Sequence, residues 1–244
     1  MQPREDQEFW GKEWDSAAAE GPDHPDAATW HNEIDRRLME FLRPFLPARG
    51  RVAEVGCGSG RLLSRIGREL PVELVAVDYS APAIQLVRQS ARAFGVSAQP
   101  VLADATCLGF ADRTFDFILS GGLLEHFEDP KPALAEMVRI LKPGGVVFAA
   151  VVPRKLFSLH RPMHRWLGPQ VFRTPYGPER YAAWLKELGC NEVVTQSRGF
   201  YPPLFHHLPA EPRGAIERAF RPFEGSWLAD RLGYFFVFAG RRAL

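Results

Sequence analysis

The stretch VAEVGCGSGRLL, residues 52–63, decides the reading of this 244-residue chain. Residues 52–55 form a short β-branched strand, and Leu62, Leu63, Ile66 and Leu70 share one face of the helix that follows. Between them Gly56, Gly58 and Gly60 alternate with Cys57 and Ser59. Glycines at alternate positions let the backbone turn sharply and approach a ligand without a Cβ in the way. The helix start adds unpaired N–H groups and the positive end of a dipole. A strand, a glycine loop and a helix in this order make a ligand cradle. The loop lacks the Lys-Ser/Thr of a phosphate-binding P-loop, and it is one residue tighter than the dinucleotide pattern Gly-x-Gly-x-x-Gly. The spacing alone does not name the ligand, and a glycine-rich turn without one stays open.

Downstream, strand and helix alternate. Residues 72–77 read as a second strand ending in Asp78, Tyr79 and Ser80. Ser80 and Pro82 then predict the N-cap and first turn of a helix that turns Ile84, Val87, Ala91 and Phe94 inward. Residues 101–103 form a third strand tipped by Asp104 and Ala105, and 115–119 a fourth. Leu134, Met137, Val138 and Leu141 have helical spacing, and Lys142-Pro143-Gly144-Gly145 stops that helix before a strand at 146–152 that is apolar on both faces. Such alternation predicts a parallel sheet wrapped by helices, with ligands bound at the carboxyl ends of the strands. Asp78, 22 residues after Gly56, stands where a carboxylate accepts both hydroxyls of a ribose. Asp104, at the next strand tip, suits an adenine amino group.

Upstream and beyond 153 the pattern loosens. Residues 1–28 are polar, with Gly21, Pro22 and Pro25 breaking regular structure and Trp10 and Trp14 as apolar exceptions. Ile34, Leu38, Phe41, Leu42 and Phe45 follow helical spacing. Residues 153–178 are rich in Pro, Arg, His and aromatics; Tyr181, Trp184, Leu185 and Leu188 make a helix. Residues 193–197 and 234–239 read as closing strands around an insertion at 200–227.

Composition narrows the function classes. Thirty Lys+Arg against 29 Asp+Glu leave a net charge of +1, which argues against a general polyanion binder. The longest apolar run, 146–152, falls far short of the roughly 20 residues that cross a bilayer. The first residues are polar and acidic, without a secretory signal. Cys57, Cys107 and Cys190 are odd in number and unclustered, so neither a disulfide scaffold nor a metal site is expected, and a reduced cytoplasmic protein is. Charge is uneven along the chain. Residues 1–50 carry eleven acids and six bases; 154–221 carry five acids and eleven bases, with four of the seven histidines.

Five segments stand in register: VAEVGCGSGRLL (52–63), AVDYS (76–80), Asp104-Ala105, FDFILSGGLLEHFEDP (115–130) and LKPGGVVFAAVVP (141–153). Together they resemble the class I S-adenosylmethionine-dependent methyltransferases, in particular the type 11-like small-molecule group, over about residues 30–153. The resemblance implies an α/β, Rossmann-like, doubly wound, mostly parallel seven-stranded sheet. An N-terminal helical segment and a helical or loop substrate cap in the C-terminal part complete it. Residues 1–29 would be a mobile lid segment, 30–153 the cofactor-binding core, and 154–244 the closing strands with cap insertions. It implies that Gly56, Cys57, Gly58 and Gly60 pass along the methionine part of the cofactor and that Glu54 helps hold its ammonium. Asp78 would bind the ribose and Tyr79 lie on the adenine. Asp104 and Ala105 would contact the adenine edge, and Ser120 and Gly121 would line the methionine side. A ligand with an ammonium and a sulfonium but no phosphate suits the acid Glu54.

His126 lies just past the fourth strand, where an imidazole can take a proton from an acceptor or serve as pocket wall. Glu125 and Asp129 read as helix-start and solvated charges. Trp10, Trp14, His160, His164, Arg165, Tyr176, Tyr201, His206 and His207 are candidates for lining the substrate side. The expected reaction is in-line methyl transfer to a small hydrophobic or aromatic acceptor, with oxygen or carbon favoured, in a biosynthetic setting. A cofactor-binding scaffold without turnover and a nicotinamide oxidoreductase stay as alternatives. Ser120-Gly121-Gly122-Leu123 does not match the Asn/Asp-Pro-Pro-Tyr/Phe of nucleic-acid amino-methylating enzymes. Neither nucleic acid nor membrane is an expected partner, and the chain is expected to be a monomer or homodimer.

Overall fold

The computed structural model describes residues 4–22, 24–27, 29–152, 172–198, 210–223, 226, 233 and 235–244. Its centre is strand β1 (Gly50–Val55), in which Val52, Ala53 and Val55 are buried. Parallel neighbours flank it, β2 (Val72–Asp78) on one side and β4 (Phe115–Gly121) on the other. Strand β3 (Ala98–Leu102) extends the sheet beyond β2, and β5 (Leu141–Val151) pairs in parallel with β4. Strand β7 (Phe235–Arg242) runs antiparallel to both β5 and β6 (Cys190–Arg198). The order is β3-β2-β1-β4-β5-β7-β6. Strands β2 and β3 are added on one side of β1, and β4 and β5 on the other, so the glycine loop leaves β1 at the topological switch point. Pro100, which has no N–H to give a ladder, sits on edge strand β3.

Helices α3 (Arg61–Glu69), α4 (Ala81–Phe94), α5 (Lys131–Ile140) and α6 (Pro178–Glu187) follow the strands as the periodicity predicts. Helix α2 (Trp30–Leu42) starts at Thr29, whose hydroxyl accepts from the Asn32 N–H, and α7 (Ala210–Phe220) precedes β7. Two apolar layers cover the sheet, one around Phe115, Ile118, Met137, Tyr181 and Phe238, the other around Met39, Leu63, Ile66, Phe117 and Phe148. Each such fully buried side chain stabilises the fold by about 2–3 kcal/mol relative to exposure.

Three local expectations change. Residues 4–20, expected to lack regular structure, form helix α1 (Arg4–Glu20), which packs on α4; the Gln89 side chain donates to the Ala18 carbonyl at 3.3 Å. The breakers at 21–25 end this helix rather than prevent it: Gly21 takes φ +84° and its N–H closes onto Ala17. Lys142-Pro143-Gly144-Gly145 does not follow a helix directly. Leu141 already pairs with Phe115, and the four residues form an irregularity before Val146 resumes the ladder opposite Phe117. Ser80 occupies the N-cap of α4, but its hydroxyl makes no capping bond; its N–H donates to Asp78 instead.

Candidate active site

The loop after β1 is held from below. The Gly56 and Cys57 N–H groups both donate to the Val77 carbonyl, at 2.8 and 3.0 Å, and so fasten the loop to β2. Gly58 N–H donates to Asp78 Oδ2 at 2.8 Å and Ser80 N–H to Oδ1 at 2.9 Å. Asp78 therefore braces two loops through the N–H groups of Gly58, Tyr79 and Ser80, and it lines the pocket beside them. Gly58 has φ +48° and Gly56 φ +69°. A Cβ on Gly56 would stand 2.8 Å from the Leu123 side chain, and one on Gly58 would stand 2.5 Å from the Trp14 ring. Gly60 caps α3 in the left-handed conformation, and a Cβ there would press on Val87 at 3.1 Å, so its smallness serves helix packing.

Three carboxylates are buried around this loop. Glu54, 5% exposed, accepts from the Leu63 N–H at 3.3 Å. Asp35 pairs with Arg61 at 3.1 Å, and Arg61 also donates to the Ser59 hydroxyl at 3.0 Å. Asp78 is the third. Burial raises the carboxyl pKa of all three, and that of Glu54 reaches about 8, with Asp35 adding to the shift. The Cys57 thiol, which faces the core, is pushed up by the same burial and by Asp78 and Glu54. Sequence reading had missed Asp35. Such a site is undercompensated toward positive charge: a cation relieves it and a pyrophosphate would add to its repulsion. This donor set fits the ammonium and sulfonium of S-adenosylmethionine and does not fit a dinucleotide.

Beside the loop lies a pocket of about 140 Å³ lined by Gly56, Asp78, Tyr79, Asp104, Leu123 and Phe127, together with Val55, Ala103 and Ala105. Asp104 is exposed and spends Oδ1 on the Thr106 N–H and hydroxyl, both at 2.7 Å. Leu123 and Phe127, absent from the sequence reading, bring apolar surface suited to a planar base. Their signal was position: they follow the tip of β4 directly. Ser120 is buried and donates to the Val55 carbonyl at 2.8 Å, so its hydroxyl ties β4 to β1; Gly121 is exposed at the strand end.

His126 is 4% exposed. Its Nδ1 lies 3.0 Å from the Phe172 carbonyl, an acceptor only, so Nδ1 carries the proton and Nε2 the lone pair. Burial lowers its pKa to about 4 and keeps the ring neutral. Trp10 meets it edge-on at 5.1 Å between ring centroids and stacks on Trp14 at 5.8 Å. Glu125 departs from expectation. It is 2% exposed rather than solvated, and burial pushes its carboxyl up to about 7. Asp129 accepts from the Lys131 N–H at 3.1 Å and is exposed, as a helix-start acid should be. Tyr176 packs edge-on against Trp184 at 5.0 Å, in the layer around α6 and apart from the pocket lining. His160, His164, Arg165, Tyr201, His206 and His207 lie outside the described residues. Among the described residues there is no metal-binding cluster and no helix long and apolar enough to cross a membrane.

A family model described as a methyltransferase domain matches residues 53–149, the span from β1 to β5. Residues 53–149 are similar to a methyltransferase domain. The chain is 34% identical over 119 residues to a malonyl-[acyl-carrier protein] O-methyltransferase of Enterobacter lignolyticus, covering 48% of this chain and 45% of that protein. A ubiquinone biosynthesis O-methyltransferase of Rhizobium etli is 28% identical over 163 residues, covering 63% of this chain and 64% of the relative. The chain thus spans about half to two thirds of the length of these curated relatives. Its fold is that of a SAM-dependent methyltransferase from Thermotoga maritima described as a possible histamine N-methyltransferase, at TM-score 0.59 and 23% identity, covering 87% of this chain and 96% of that one. These likenesses match the expected sheet, with its antiparallel β7, to the methyltransferase architecture.

Proposed function

We propose that this protein transfers a methyl group from S-adenosylmethionine to a small hydrophobic or aromatic acceptor, at oxygen or carbon. The observation that carries the reading is the ring of desolvated carboxylates around the glycine loop, which favours a cationic ligand over a phosphorylated one. The names of the relatives, acting on ubiquinone precursors and on a malonyl carrier, support a small acceptor and an oxygen nucleophile.

The cofactor supplies a methyl carbon already activated by its positive sulfur. The protein's own work is then orientation and exclusion of water. Glu54 holds the ammonium, Asp78 the ribose hydroxyls and Asp104 the adenine amino group, with Tyr79, Leu123 and Phe127 against the base. The backbone of 56–60, with Ser120 and Gly121 beside it, borders the methionine end. His126 accepts a hydrogen bond from the acceptor's hydroxyl or acidic C–H through Nε2. An imidazole held near pKa 4 is a weak base, so it orients this group and takes the proton late, as the methyl bond forms. Trp10 and Trp14 of α1 serve as a lid, and the basic composition of 154–221, with His160, His164, Arg165, Tyr201, His206 and His207, supports a role for that segment toward an acceptor with an acidic group. Reduced cysteines suit action in the cytoplasm.

Labelled-methyl transfer from S-adenosylmethionine to a panel of phenols, catechols, hydroquinones and carboxylic acids tests the reading. Label in at least one acceptor, lost in Asp78→Ala, is the expected result. Cofactor binding with no transfer across the panel would favour a scaffold without turnover.

A further inference from the structure

Glu125 and His126 make three long-range bonds to two points of the chain that are remote in sequence. The Val152 N–H, just past β5, donates to Glu125 Oε1 at 3.2 Å. The Thr174 N–H donates to the Glu125 carbonyl at 2.7 Å, and the Phe172 carbonyl accepts from His126 Nδ1 at 3.0 Å. The dipeptide thus grips the chain immediately before and immediately after residues 153–171. It also meets α1, because Trp10 stands edge-on to the His126 ring. Glu125, His126 and Thr174 are all buried, so water does not compete for these bonds.

The choice of glutamate is informative. Glu125 Oε2 is buried and finds no hydrogen-bond partner among the described residues. A bond to Val152 needs one oxygen only, and burying a second without a partner costs stability that an apolar neighbour would not. The Tyr181 hydroxyl is likewise buried with no hydrogen-bond partner among the described residues and feels the Glu125 charge, while Arg173 pulls the Glu125 carboxyl down.

We propose that Glu125 is a positioning residue: it ties Val152, at the carboxyl end of β5, to the Phe172–Thr174 stretch, and beside it His126 joins Phe172 to Trp10 of α1. It acts on the acceptor side through the chain it holds and leaves the cofactor loop alone. The part of this claim that concerns the acceptor rests on the methyl-transfer reading; the clamp itself does not.

Hydrogen–deuterium exchange on the full chain, without cofactor or acceptor, separates the two. In Glu125→Leu, peptides containing Val152 and Phe172–Thr174 should exchange about tenfold faster, while those covering 56–60 and 78–80 keep wild-type protection. Glu125→Gln keeps an acceptor oxygen for Val152 and should restore the protection. The dissociation constant for S-adenosylhomocysteine should change by less than about threefold in both variants, and the KM of an acceptor found in the panel should rise about tenfold in Glu125→Leu with kcat less affected. Should Glu125→Leu not fold, Glu125→Ala is read in the same way, against the same peptides. Unchanged exchange at Val152 and Thr174 would overturn the clamp, and so would equal loosening of the glycine loop, which marks a merely structural residue. A clamp seen by exchange with no acceptor found leaves Glu125 in place and removes the methyl-transfer reading.

Discussion

Trp14 lies so close over Gly58 that a Cβ on the glycine would stand 2.5 Å from the indole ring. A helix from the N-terminal segment thereby rests on the glycine loop, and its other tryptophan, Trp10, reaches His126 in the turn after β4. The glycine loop, the turn after β4 and α1 are joined through these two tryptophans.

Gly58→Ala should therefore fail twice. The left-handed backbone at φ +48° costs an alanine about 1–2 kcal/mol, and the new methyl group meets Trp14. Calorimetry should show S-adenosylhomocysteine affinity falling at least about tenfold while circular dichroism keeps the α/β signature. Adding Trp14→Ala should recover part of the loss, because it removes the clash and leaves the strain.

Deleting residues 1–20 removes α1 with Trp10 and Trp14. The acceptor KM should rise by about tenfold, and cofactor dissociation followed by stopped-flow fluorescence should quicken. Unchanged values for both would reduce α1 to a packing element on α4.

Glu54 predicts a pH signature. Its folded pKa, about 8, is raised by burial above the ordinary carboxylate value, so its contribution to stability is full at low pH and is lost as pH rises toward 8. Thermal unfolding of the ligand-free protein should show this fall, and Glu54→Gln should flatten it by on the order of a few kcal/mol. Glu125, raised to about 7, adds a fall of the same sign that Glu54→Gln leaves in place. Binding of a cationic ligand at pH 7 should ionise Glu54 and release a proton; calorimetry in buffers of different ionisation enthalpy should detect it, and Glu54→Gln should abolish it.

The partly exposed Arg61, at the start of α3, pairs at 3.1 Å with the buried carboxylate of Asp35 on α2. Arg61→Ala strands a desolvated carboxylate and should cost about 3–5 kcal/mol in denaturant unfolding. The double variant Arg61→Ala with Asp35→Asn should recover much of that loss, since no uncompensated charge remains.

The features legible in sequence were local ones. The strand–glycine–helix signal at 50–66, the carboxylate at the tip of β2 and the doubly apolar strand β5 each need only a short window of residues. What escaped was set by partners far along the chain. Glu125 looks like a solvated acid until Val152 and Thr174 close over it. Tyr176 also packs edge-on against Trp184, a contact that no short window of sequence reveals. Asp35 carries no motif, and only Arg61 reveals its place. Helix α1 was hidden for another reason: the breakers that end it at Gly21 were read as if they governed the whole segment. The uneven charge of the chain also gains meaning, since Trp10 from the acidic side and Phe172 from the basic side meet on one histidine.

The central claim is that the carboxylate-ringed loop takes a positively charged nucleoside ligand, and one titration tests it most directly. Isothermal calorimetry of the full chain with S-adenosylmethionine, S-adenosylhomocysteine and NAD should give one-to-one binding of the first two, lost in Asp78→Ala, and no heat from the third. Tight binding of NAD with no response to S-adenosylmethionine would contradict the account.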